Sequence, residues 1–243
     1  MGFLQNKNYP KWLLAIYAVL WLITAINPQH PQDFILENVL NFFLVAVIIL
    51  TYKKFRLSNV SYTLIFVYMI LVSIGAHYTY AEVPYDEWSK RIFGICINEL
   101  FGFERNHYDR LVHFTFGLFM AYPIREIFMR IANVKGFWAY YLPFDVTLSF
   151  SAIYEIIEWV IAILFGGDLG TQYLGTQGDE WDAIKDMGLA ALGAIISMSI
   201  VAFINFKYKK NFKEDMEKSL SIKRKTPLGE VELNRMKKKK NNN

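Results

Sequence analysis

Six long apolar runs separated by polar connections organise the chain: about Tyr9–Ile26, Leu36–Tyr52, Val60–His77, Arg110–Ile131, Trp138–Phe165 and Ala183–Phe206. A helix needs roughly 17–25 mostly apolar residues to cross a bilayer. The pattern therefore predicts an all-α, polytopic membrane protein with six transmembrane helices. The first run is short and follows Lys7 and Lys11, so a secretory apolar region ending near Ala25 competes with a retained span. No convincing small-x-small cleavage site follows it, which favours retention.

Composition agrees with this reading. Of 243 residues 54% are apolar and only 20% charged, at a mean hydropathy of +0.21. That balance excludes a disordered chain, a collagen and a disulfide-rich secreted module. Cys96 is the single cysteine, so neither an intrachain disulfide nor a cysteine cage for zinc can form.

Charge then sets the orientation. Of the 26 basic residues, 21 fall at the N-terminus, in alternate connections (Lys53, Lys54 and Arg56; Arg125, Arg130 and Lys135) and in the segment after Phe206. The positive-inside rule puts these in the cytoplasm, with both termini inside and six spans between them. The expected location is the plasma (inner) membrane. Residues 1–206 are read as the transmembrane domain and 207–243 as a basic, partly disordered cytoplasmic tail.

Three connections face outward. Asn27–Ile35 carries no basic residue, and Tyr78–Asp109 is long enough to hold an interfacial helix starting near Asp86, with Trp88, Ile92, Phe93 and Ile97 on its apolar side. Gly166–Gly178 repeats Gly-Thr-Gln at Gly170 and Gly175 and reads either as a flexible cap or as an idle turn.

Acids and histidines gather at the outer ends of four spans. His77 closes the third; Asp109 and His113 open the fourth at i and i+4; Glu155 and Glu158 lie in the outer half of the fifth at i and i+3. Asp179, Asp182 and Asp186 make a stripe at the start of the sixth, where Gly188, Ala190, Ala191, Gly193, Ala194 and Ser197 allow close helix approach. Ionisable residues inside spans are expensive and point to function by default. The outer side holds 15 acids against 5 bases, a surplus that requires protons or cations.

The expected ligands of a divalent ion (Zn, Mn or Mg) are His77, Asp109, His113, Asp179 and Asp182, with Glu155, Glu158 and Asp186 as catalytic carboxylates. Such a centre suits hydrolysis of an envelope lipid or lipid-linked small molecule; nucleic acid is not an expected partner. Two other readings stay open. In an ion-coupled transporter, Glu155, Glu158 and Asp186 would bind the coupling ion, although no repeated half is visible. In a structural protein, the same side chains would only join helices, with Arg110 and Lys185 neutralising Asp109 and Asp182.

The runs His77–Pro84, Arg105–Phe114, Tyr122–Glu126, Tyr154–Trp159 and Gly175–Asp182 resemble bacterial inner-membrane proteins of the YjdF type, over about Trp12–Phe206. The resemblance implies a polytopic membrane protein and no known activity. The chain has Ala183-Ile184-Lys185 where that pattern leads one to expect Thr-Gln-Trp, which adds a cation beside the pocket. More distantly, Asp109–His113, Glu155 and the small-residue helix from Asp182 to Gly193 are similar to VanZ-like proteins, which implies a role in the cell envelope.

Overall fold

The computed structural model describes residues 6–165, 176–223 and 225–241, so the Gly-Thr-Gln repeat of the expected cap lies largely outside the described residues. Among those residues there are ten helices and no strand. They are α1 (Tyr9–Thr24), α2 (Pro31–Thr51), α3 (Asn59–Tyr78), α4 (Tyr85–Phe93), α5 (Ile97–Phe101), α6 (Tyr108–Ile131), α7 (Trp138–Phe165), α8 (Asp182–Tyr208), α9 (Phe212–Leu220) and α10 (Leu228–Asn241).

Four of them, α2, α3, α7 and α8, are long and apolar enough to cross a membrane. The other two expected spans depart from the simple pattern. Helix α1 is apolar but has only 16 residues. Helix α6 has 24 residues and carries Asp109, Arg110 and His113 near one end and Arg125, Glu126 and Arg130 near the other. Large side chains such as Phe43, Leu50, Ile163, Leu164 and Phe203 stand more than half exposed on the outside of the bundle. Lipid, not water, is the solvent that tolerates so much contiguous apolar surface.

Cross-helix hydrogen bonds fix the order of the layers. On α1, Tyr9 and Tyr17 pair by their hydroxyls with Thr63 and Ser73 of α3, so these two helices run parallel. The Tyr108 hydroxyl donates to the Leu71 carbonyl, and the Ser58 N–H donates to Glu126, which sets α3 antiparallel to α6. In the α1–α2 pair, Trp21 Nε1 donates to Asn38 at 2.7 Å. That bond satisfies one polar group of the Asn38–Asn41 face which α2 turns inward.

The tightest seam joins α6 to α8. A Cβ on Gly117 would collide with the carbonyl of Ala190, and one on Gly193 with the carbonyl of Phe114. Only glycine permits backbones this close. Gly188, part of the same small-residue run, meets nothing within 4 Å. Paired positions advance together along both helices (Arg110 with Asp182, Gly117 with Ala190, Ala121 with Ala194 and Met198). Helices α6 and α8 are therefore parallel, and α7 runs back between them. Their N-termini, with their partial positive charge, lie side by side at one end of the bundle.

Helix α2 begins at Pro31, earlier than the expected Leu36, because proline is pre-organised for a first helical turn. This draws Asp33 out of the expected loop and onto the same buried helix face as Glu37. An amphipathic helix does form near Asp86 as α4, followed by the short α5; Ile92, Phe93, Leu100 and Phe101 all stand outward from them.

Candidate functional site

The acidic end of the bundle contains two layers. The outer is a closed ion-pair network. Arg105 donates to Asp182 at 2.7 Å and to the carbonyl of Thr176 at 2.6 Å. Arg110 reaches Asp179 at 2.5 Å and Asp182 at 3.2 Å, and Lys185 meets Asp179 at 2.6 Å. Asn106 and Gln177 exchange two backbone–side-chain bonds of 3.1 Å. Together these ties fasten the segment before α6 to the segment before α8. The hydrogen bond from Lys185, with those from the Trp181 N–H and Arg110, holds the Asp179 carboxyl down at about 2. His107 precedes α6 and accepts from Arg110 at 3.1 Å through Nδ1, since a guanidinium can only donate. Burial, then the charges of Arg110 and Arg105, lowers its pKa, so it stays neutral.

One helical turn deeper no Arg or Lys joins the acids among the described residues. Asp109, His113 and Asp186 each direct one donor atom at a common point, all three within 4.8 Å of one another. His113 Nε2 lies 3.7 Å from Asp109 and 3.4 Å from Glu155 Oε1. Glu155 and Glu158 hydrogen-bond to each other. The Tyr154 hydroxyl donates to Glu37 of α2 at 3.1 Å, and Glu37 interacts electrostatically with Asp109. Five carboxylates and one imidazole thus occupy this layer. Asp186 is only 2% exposed and His113 5%. Oδ1 of Asp186 and Oε1 of Glu155 are buried with no hydrogen-bond partner among the described residues. Buried polar atoms left this way are costly.

Asp109, His113 and Asp186 are thus brought together, with Glu155 and Glu158 against them. The remaining expected ligands are elsewhere. His77 gives its Nδ1 to the carbonyl of Thr24 at 2.7 Å and its ring edge to Tyr78. Asp179 and Asp182 belong to the arginine network. Arg110 and Lys185 do serve as neutralising cations, but Arg110 selects Asp179 and Asp182 and leaves Asp109 to the deeper layer. Sequence reasoning gave no site role to Arg105, Glu37 or Tyr154. For Glu37 a signal was available, since Asp33 and Glu37 stand at i and i+4 beside Asn38 and Asn41, a polar face on an otherwise apolar helix.

An all-helical bundle with lipid-suited flanks and a carboxylate-rich interior defines a multi-pass membrane protein. The chain belongs to the family described as "Predicted membrane protein (DUF2238)", which matches residues 9–207. It is 34% identical over 196 residues to the Inner membrane protein YjdF of Escherichia coli (strain K12), covering 80% of this chain and 90% of that protein. Both matches bear out the YjdF-type resemblance; neither speaks to VanZ-like proteins. No solved structure matches.

Proposed function

We propose that the chain is a six-span inner-membrane protein with both termini in the cytoplasm, whose deeper layer binds a divalent metal ion at the outer leaflet and hydrolyses a lipid-linked substrate there. In this reading α1 and α6 join the four longer helices as spans, residues 1–206 form the membrane domain, and 207–243 is the cytoplasmic tail. The partners of the charged groups on α6 support its place in the bundle. Glu126 accepts from the Ser58 N–H, the Ser61 hydroxyl and Arg130, and Arg110 is paired.

The observation that carries the metal site is the buried, unpartnered oxygen of Asp186 beside His113 and Asp109. One imidazole and two carboxylates suit Zn²⁺ or Mn²⁺ ahead of Mg²⁺. Asp109, His113 and Asp186 would hold such an ion through one atom each. Such an ion polarises a phosphoryl or ester oxygen and activates water. Glu155 is placed to accept the proton of the attacking water and return it to the leaving oxygen as the ester bond breaks, and Glu158 orients it. The outer Arg105–Arg110 network roofs the site with positive charge, which suits a phosphate-bearing substrate.

Elemental analysis of the full chain purified in detergent tests this. One equivalent of metal is expected in the wild type and less than about a tenth of it in Asp186→Asn and His113→Ala, with unchanged helicity by circular dichroism. Wild-type protein without metal, after purification in added Zn²⁺ or Mn²⁺, would sink the proposal. Retained metal with no hydrolysis of a phospholipid pool would leave the ion in an ion-coupled carrier.

A further inference from the structure

The opposite, basic end of the bundle is built apart from the acidic layers. A cavity of about 250 Å³ opens between α6, α7, α8 and α9, lined among others by Arg125, Lys135, Tyr140, Lys209, Phe212 and Asp215. Arg125 projects from α6 and is only 8% exposed. It forms no ion pair among the described residues, and its Nε is buried without a partner. Its guanidinium stacks 4.9 Å from the centre of the Tyr140 ring, which is fixed in turn by a 2.9 Å bond from Asn205 to the Tyr140 hydroxyl.

The first helix of the tail closes this cavity. Ser219 of α9 accepts from the Phe137 N–H at 2.9 Å through its hydroxyl and from Trp138 Nε1 at 3.0 Å through its carbonyl. Gly136 has φ +59°, and a Cβ there would run into the Asp215 carbonyl and the Ser219 side chain. Phe212 packs edge-on against Tyr140. So α9 is docked over the pocket, and glycine at position 136 is what allows it.

The lining has three cations and one carboxylate. Neither Lys135 nor Lys209 forms an ion pair among the described residues, and both are exposed at the rim. A buried guanidinium with no carboxylate partner is a costly arrangement in a folded protein unless an anion completes it. The planar fork of arginine matches two oxygens of a tetrahedral anion, and flanking lysines add point charge. The lining excess is two positive charges, which suits the roughly −1.5 to −2 of a phosphomonoester near neutral pH.

We propose that this cavity binds a phosphate group, held bidentately by Arg125 and flanked by Lys135 and Lys209. The group belongs either to the headgroup of an anionic phospholipid in the adjacent leaflet or to a soluble phosphate compound. Both sources share the same chemistry at the site.

The full chain is tested in phosphatidylcholine nanodiscs with and without phosphatidic acid, counting retained phosphatidic acid by native mass spectrometry. A parallel titration with inorganic phosphate in detergent reads thermal stability. Retention of phosphatidic acid alone assigns the lipid, a saturable response to inorganic phosphate assigns a soluble ligand, and either supports the proposal. Arg125→Gln is expected to weaken binding roughly tenfold or more. The rim double variant Lys135→Gln with Lys209→Gln, whose exposed positions spare the fold, is expected to weaken it about threefold. If wild type retains neither probe, or the rim variant retains as much as wild type, the proposal is overturned.

Discussion

Asp182 and Asp186 lie one turn apart on the same face of α8, and both are buried. Asp182 meets two guanidinium groups at 2.7 and 3.2 Å. Asp186 meets His113 and Asp109, and one of its oxygens has no hydrogen-bond partner among the described residues. The same residue type at the same helix angle thus serves two purposes. In the outer layer the acids are matched to three cations and tie two connecting segments together. In the deeper layer they outnumber the single imidazole five to one, which a protein built for stability alone would avoid. Glu126 at the far end shows what a structural carboxylate looks like in this fold, with both oxygens saturated by Ser58, Ser61 and Arg130. Depth by itself does not make the acids of the deeper layer unusual; the lack of Arg or Lys partners among the described residues does.

The comparison is broken most completely by forcing the shared seam apart. Gly193→Leu places a side chain against the Phe114 carbonyl. It should cost about 3 kcal/mol or more, seen as loss of monodisperse folded protein in size-exclusion chromatography and a lower Tm.

Separating the layers comes next. Asp182→Asn leaves Arg105 and Arg110 under-compensated and should destabilise by about 3 kcal/mol. Asp186→Asn removes one of several crowded like charges and should leave the metal-free protein no less stable. Thermal unfolding of the two variants in EDTA reads the difference directly. Equal losses in both would erase the distinction between the layers.

Chelation sharpens it further. EDTA should lower the stability of the wild type by about 2.7 kcal/mol if the ion is present at a hundredfold excess over its Kd. Asp186→Asn should not respond.

The outer layer has its own pH signature. The Asp179 carboxyl is held at about 2, below its unfolded value. Its contribution is therefore fully present above ~4, the unfolded value, and lost as pH falls toward about 2. The Tm difference between wild type and Asp179→Asn should be flat from neutral pH down to ~5 and shrink to nothing as pH falls from ~4 to about 2. The smallest effect belongs to Lys185→Gln. That lysine is 49% exposed, so its loss should cost under about 1 kcal/mol, measured by the same thermal assay.

Much of the bundle was legible from the chain because lipid imposes long apolar runs. The runs at Trp138–Phe165, Val60–His77 and Ala183–Phe206 fall within a residue or two of α7, α3 and α8. Helix α2 was misplaced at its start because Asp33 read as a loop acid, whereas it extends the buried polar face of Glu37, Asn38 and Asn41. The meeting of Asp109, His113 and Asp186 was approached through i, i+4 spacing and the small-residue face of α8. Spacing, however, cannot say which acids two arginines will choose. Arg105 reaches Asp182 across 77 positions of sequence, and no local pattern announces such a pairing. His77, expected among the ligands, is claimed instead by the end of α1.

The glycine seam has a mechanical consequence. With backbone pressed on backbone at Gly117 and Gly193, main chain sets the spacing of α6 and α8, and Asp109, His113 and Asp186 are all mounted on that closely spaced pair. The other acids of the chamber, Glu155 and Glu158 on α7 and Glu37 on α2, come from helices outside that glycine seam.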